Sequence, residues 1–163
     1  MTTTRLWLAT LVLLSIGACS STPYFVEQTL SDPSKALVYV YRSKATNPGK
    51  KPMRYSYPDI QVDGASLGVL RYNEFLVAEL EPGRRDFLAT GLSPISDWNQ
   101  GEAKYTQELE AGKTYYLRLR VEYNTDNMSV GTFKGQYLIH LHALDYSEAV
   151  YEIRDASRAA ATP

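Results

Sequence analysis

The sequence predicts a mainly β chain: an antiparallel β-sandwich of about seven to eight strands, closed by one short C-terminal helix. Three observations lead there. Thirteen Tyr stand beside four Phe and two Trp in 163 residues, and an aromatic ring with a polar tip suits a half-buried pleated surface. Short β-branched and aromatic runs recur between Gly, Pro and Asp turn signals at intervals of about 8 to 12 residues. Helical spacing shows only once, close to the end of the chain. No repeat of solenoid or propeller length is visible.

Lys35 to Arg42 (KALVYVYR) is apolar on both faces, as expected of a central strand covered twice. Asp59 to Leu70 reads as two short strands around Asp63-Gly64, a dipeptide that readily supplies the positive φ of a tight hairpin. Glu74 to Leu80 places Leu76, Ala78 and Leu80 on one face. Glu81-Pro82-Gly83 then turns the chain into Arg84 to Thr90, a second expected hairpin. Between Gly91 and Gly101, Pro94, Trp98 and Asn99 mark an irregular loop. Ala103 to Leu109 and Lys113 to Tyr123 flank a turn at Glu110-Ala111-Gly112.

Lys113 to Tyr123 alternates most clearly, with Tyr115, Leu117, Leu119, Val121 and Tyr123 against Tyr116, Arg118, Arg120 and Glu122. Gln136 to Leu144 alternates likewise, with Ile139, Leu141 and Ala143 opposed to His140, His142 and Leu144. Pairing the two antiparallel with Leu119 opposite Leu141 sets Arg118 opposite His142 and Arg120 opposite His140. Asp145-Tyr146-Ser147-Glu148 resembles a capping box, and Ala149, Val150, Ile153 and Ala156 follow at helical spacing.

These strand and turn residues resemble a family of small bacterial lipoproteins known as a domain of unknown function. The resemblance rests on Lys35 to Arg42, on Val62-Asp63-Gly64 with Leu67-Gly68, on Glu81-Pro82-Gly83 and on Ala111 to Arg118. It covers roughly residues 35 to 154 and implies a PEGA-like β-sandwich with no catalytic residues to carry over.

The beginning of the chain supplies an address. Arg5 precedes an apolar run from Leu6 to Ile16, of signal-peptide length and short for a membrane span. Ile16-Gly17-Ala18-Cys19 follows and resembles the bacterial lipoprotein signal, which implies cleavage after Ala18 and lipid on Cys19, the chain's only cysteine. An ordinary secretory signal with an incidental thiol is the alternative. Two or more acyl chains anchor stably where one does not. Ser20 after the cysteine implies, for a Gram-negative source, the outer membrane, with the periplasmic face favoured over the cell surface. The expected organisation is a signal peptide over 1–18, a lipidated N-terminus and tether over 19–33, a sandwich with its helix over 34–156 and a flexible tail over 157–163. A 14-residue tether has ends roughly 20 Å apart if flexible, with Phe25 and Val26 placed to dock on the domain.

Composition narrows the function classes. Seventeen basic residues stand against 18 acidic ones, too balanced for a dedicated nucleic-acid binder, and the secretory address points the same way. One cysteine forms no internal disulfide. Two histidines close no structural zinc site without carboxylates, so no metal and no cofactor are expected. There is no Gly-x-Ser-x-Gly elbow, no His-Glu-x-x-His and no phosphate-cradling glycine loop. Asp86, Asp97, Glu102 and Glu108 are carboxylates that nothing in the sequence brings together, and an enzyme is not expected.

Two candidate binding segments remain. Arg42, Lys44, Lys50, Lys51 and Arg54 occupy residues 42–58 without an acid, beside Tyr55 and Tyr57. Cations among aromatics take phosphates, carboxylates or sugar rings, so an anionic glycan or lipid is the ligand class, against a plain solvated loop. The second is the patch of Arg118, Arg120, His140 and His142, an anion or carboxylate site unless it is an ordinary polar face or lies under the helix. The leading expectation is a membrane-tethered, non-catalytic interaction or accessory module of the bacterial envelope with a protein partner. The alternative is capture of an anionic glycan or lipid through 42–58.

Overall fold

The computed structural model describes residues 25–44, 57–90, 103–123 and 137–160. The fully apolar run becomes β1 (Ala36–Arg42), and every one of its residues is buried. It lies in the middle of a five-stranded sheet, between β4 (Glu74–Leu80) and β7 (Thr114–Tyr123), with β8 (Tyr137–Leu144) and β9 (Ser157–Arg158) at the two edges. A four-stranded sheet of β2 (Asp59–Val62), β3 (Ala65–Val69), β5 (Gly83–Thr90) and β6 (Ala103–Leu109) packs against it in the order β3-β2-β5-β6. The one helix among the described residues is α1 (Tyr146–Ile153).

Alternation along β1 explains the layering. Ala36, Val38 and Val40 meet Ile60, Val62, Phe87 and Ala89 between the sheets. Leu37, Tyr39 and Tyr41 turn the other way, toward Ala149 and Ile153 of α1 and the ring of Phe25. Side chains alternate sides along a strand, so one strand feeds both cores. The chain is thus mainly β and a sandwich of two sheets, with an outer layer on the five-stranded sheet alone.

Several local expectations are met in the structure. Asp63 and Gly64 both carry positive φ, 50° and 85°, as a two-residue hairpin turn between β2 and β3 requires. β7 and β8 pair antiparallel with Leu119 opposite Leu141, Arg118 opposite His142 and Arg120 opposite His140.

Others are corrected. The sheets are not purely antiparallel: β1 pairs with β7 in parallel, Val38 beside Tyr115, and β4 pairs with β9 in parallel. Glu81-Pro82-Gly83 joins no hairpin, because β4 belongs to the five-stranded sheet and β5 to the other. The turn is a corner between layers, and Gly83 takes φ 108° there. The tail is not loose at its start. β9 lies along β4, and the Ala159 N–H donates to the Phe75 carbonyl at 2.8 Å. Asp145 stands at the N-cap of α1 without a side-chain capping bond, so the expected box does not form. The tether is docked from residue 25 onward. The Phe25 N–H donates to the Arg154 carbonyl at 2.7 Å, and the Gln28 N–H to the Tyr39 hydroxyl at 2.7 Å. Ser31 donates twice to the Glu79 carboxylate. Val26, by contrast, is exposed.

Candidate functional site

The β7–β8 register brings Arg118 and His142 side by side on the outer face of the sheet. Glu148 and Glu152 stand four residues apart on α1, which puts both on one side of the helix. They come down over Arg118. Its Nη1 lies 2.6 Å from Glu152 Oε1 and 3.6 Å from Glu148 Oε1. The Tyr41 hydroxyl donates to Glu152 Oε2 at 3.0 Å, so one carboxylate is held from two strands. Arg118 Nη2 is 2.9 Å from His142 Nε2. A guanidinium only donates, so Nε2 accepts and a singly protonated His142 carries its hydrogen on Nδ1.

The electrostatics agree with that assignment. Partial burial lowers the His142 pKa, and the positive charges of Arg118, His140 and Arg120 lower it further. Burial pushes the Tyr41 phenol up, and the Glu152 charge adds to the shift. At neutral pH the cluster therefore holds a neutral imidazole, a protonated phenol and a paired guanidinium. It fastens the helix to the sheet, and the Arg118 side chain is only 14% exposed. The four residues expected to form one outward patch differ in exposure: Arg118, covered by α1, and His142 beside it are partly buried, whereas Arg120 and His140 are exposed.

Arg120 pairs with Glu122. Together with Arg118, His140, His142 and Lys104 of β6, these two line a shallow cleft of about 600 Å³ where β6 approaches β8. Cations outnumber the one carboxylate there. An anion entering the cleft would meet Lys104 and Arg120 at its rim, the latter already paired with Glu122, while Arg118 contributes its field, its Nη1 taken by Glu152 and its Nη2 by His142.

The basic segment fares differently. Arg42 is 2% exposed, with its guanidinium 3.6 Å over the Tyr72 ring. Burial pulls its pKa down. It is the last residue of β1, buried with the strand, and is not presented to a ligand; that expectation is corrected. Lys44 is exposed, and Tyr57 is half-buried below the Arg71 guanidinium at 5.1 Å. Lys50, Lys51, Arg54 and Tyr55 lie outside the described residues, as do Ala18, Cys19 and the 91–101 loop.

Of the isolated carboxylates, Asp86 accepts from Thr106 at 2.6 Å, and its backbone N–H donates to Asp63. Asp97 and Glu102 lie outside the described residues. Among the described residues no group of three potential metal ligands forms. No helix among them is long and apolar enough to cross a membrane.

Sequence reasoning overlooked Tyr41, Tyr72, Glu148 and Glu152. For the two glutamates a signal existed: an i, i+4 acidic pair on a short helix after β8, whose partner strand β7 carries Arg118 and Arg120 on its polar face.

The family described as "Protein of unknown function (DUF2846)" matches residues 32–133. The match takes in β1 through β7 and ends before β8 and α1. No curated protein matches the chain.

Proposed function

The chain belongs to the DUF2846 family of proteins of unknown function, and we propose that this member is a lipid-anchored, non-catalytic interaction module of a bacterial envelope. It is acylated at Cys19, sits at the outer membrane and faces the periplasm. Its two-sheet architecture suits a PEGA-like sandwich. The observation that carries the reading is the junction between leader and domain. The lone thiol follows Ile16-Gly17-Ala18, and six residues later Phe25 is pinned by a backbone bond and by edge-to-face contacts with Tyr39 and Phe75. A lipid on Cys19 is thereby coupled to a folded body rather than to a free tail.

Two features support an interaction role. The titratable side chains that meet on the outer face bind one another and close the domain. Among the described residues nothing pairs with the outer edge of β8, an eight-residue strand able to accept a partner's strand. A fatty acid carrying a click handle should enter the full-length protein and be absent from Cys19→Ala; label in that variant overturns the anchor. Crosslinking in cells and purification from detergent-solubilised envelopes should then return a stoichiometric protein, lost when Ile139 is replaced by Pro to block the β8 edge. Recovery of the protein alone overturns the assembly role.

The electropositive cleft favours a second reading, capture of an anionic glycan or lipid at Lys104, Arg120 and His140. Such binding weakens steeply with salt, whereas strand addition does not.

A further inference from the structure

We infer that the C-terminal end of α1, together with Val26, is the face this protein lays against the lipid bilayer. The inference rests on acylation of Cys19. Six residue steps separate Cys19 from Phe25, and a fully extended chain of that length reaches about 20 Å. The Phe25 N–H is bonded to the Arg154 carbonyl, so the tether enters the domain where α1 ends. A domain of this size is about 35 Å across. The tether is therefore too short for the four-stranded sheet, on the far side of the sandwich, to turn toward the membrane. Only surfaces around the entry point come within reach.

Those surfaces have the chemistry of a bilayer interface. Val26 is 78% exposed and Tyr151 68% exposed, the two most exposed large hydrophobic side chains among the described residues. The Arg154 guanidinium lies 4.5 Å over the Tyr151 ring, and Arg158 of β9, four residues further on, is exposed. Tyr and Arg are the side chains that settle at headgroup level, the ring among glycerol groups and the guanidinium on phosphate. Asp155 lies 3.8 Å from Arg154 and Glu27 is on the docked segment, so the charge is mixed. Attraction there is local to the two arginines and depends on the anchor to bring them near.

The test uses full-length protein acylated in bacterial cells and reconstituted into vesicles of phosphatidylethanolamine and phosphatidylglycerol. With Cys19 blocked by its lipid, Tyr151→Cys and Arg84→Cys each offer one free thiol for a fluorophore. A nitroxide on the lipid headgroup should quench the probe at 151 at least about threefold more than the probe at 84, which is on the far sheet. Equal quenching with the lipid present overturns the inference and leaves this face to a protein partner. A preparation whose mass shows no lipid overturns the anchor itself. Adding Val26→Glu and Arg154→Glu should bring the signal at 151 down toward that at 84 with an unchanged melting temperature. Undiminished quenching there means that the tether alone orients the domain, and overturns the contact.

Discussion

The two faces of the five-stranded sheet solve the same burial problem with different chemistry. Toward the second sheet β1 offers Ala36, Val38 and Val40, and the contact is aliphatic apart from Phe87 and the partly buried tyrosines at its margin. Toward the outside it offers Leu37, Tyr39 and Tyr41, and the contact is aromatic with polar tips. Tyr39 and Tyr116 stack at 5.2 Å, and Phe25 meets both Tyr39 and Phe75 edge-on. Sheet-on-sheet packing needs flat, small, branched surfaces. The outer layer receives two separate pieces of chain, residues 25–31 and α1, and each must be told where to lie. Hydroxyls and carboxylates supply that direction: Tyr39 to Gln28, Glu79 to Ser31, Tyr41 and Arg118 to Glu152.

Substitutions on the two faces should separate accordingly. Phe87→Ala, at a ring only 1% exposed between the sheets, should cost about 3 to 5 kcal/mol in denaturant unfolding. A loss below about 1 kcal/mol would mean that the inter-sheet core is not the main source of stability. Arg118→Ala strands Glu152 beneath the helix and should cost about 2 kcal/mol. Amide exchange should quicken in α1 before it does in β1, and uniform quickening would deny the helix its separate attachment.

Tyr39→Phe keeps the ring and removes the acceptor of the Gln28 N–H, for about 1 kcal/mol. Proteolysis within residues 25–31 should rise while the sheet stays protected. The smallest effect concerns pH. His142 has its pKa lowered below the ordinary 6.5 in the folded state, so below neutrality the unfolded chain binds the proton more readily. Stability therefore falls as pH drops through about 6.5 and levels off below the folded value. His142→Gln should remove that component of the pH profile; an unchanged slope would place its origin elsewhere.

The sequence displayed the features that are local and left hidden those that depend on partner choice. Alternation in residues 113–123 and 136–144 set the register of β7 and β8, because a slip of β8 by one residue would turn Ile139, Leu141 and Ala143 away from Leu117 and Leu119. Asp63-Gly64 announced its turn through backbone sterics alone. Glu81-Pro82-Gly83 looked the same, yet whether a turn joins neighbours or crosses between sheets is decided by what each strand later meets. The parallel β1–β7 pair joins residues some 77 positions apart, Leu37 and Thr114 at one end, and no local pattern encodes it. Of the candidate site, the arginine–histidine pairing was legible. Its closure by Glu148 and Glu152 was signalled only by their spacing, since the position of α1 follows from the outer core. Arg42 was misread as a ligand group because a basic residue at a strand end usually faces water. Here Tyr72, brought in by the turn before β4, covers it.

That long-range parallel pair also sets an order of events. As the chain is made, β1 comes early, but its second neighbour, β7, follows some 70 residues later, and the outer cover from α1 comes later still. Until then ALVYVYR is an unshielded segment with one charge and high strand propensity. Pairing of β1 with β4, and of β2 with β3 and β5, is available early, but the other edge of β1 waits for β7. The five-stranded sheet is therefore complete only when the C-terminal third of the chain has arrived, and until then β1 is the segment most open to wrong pairing.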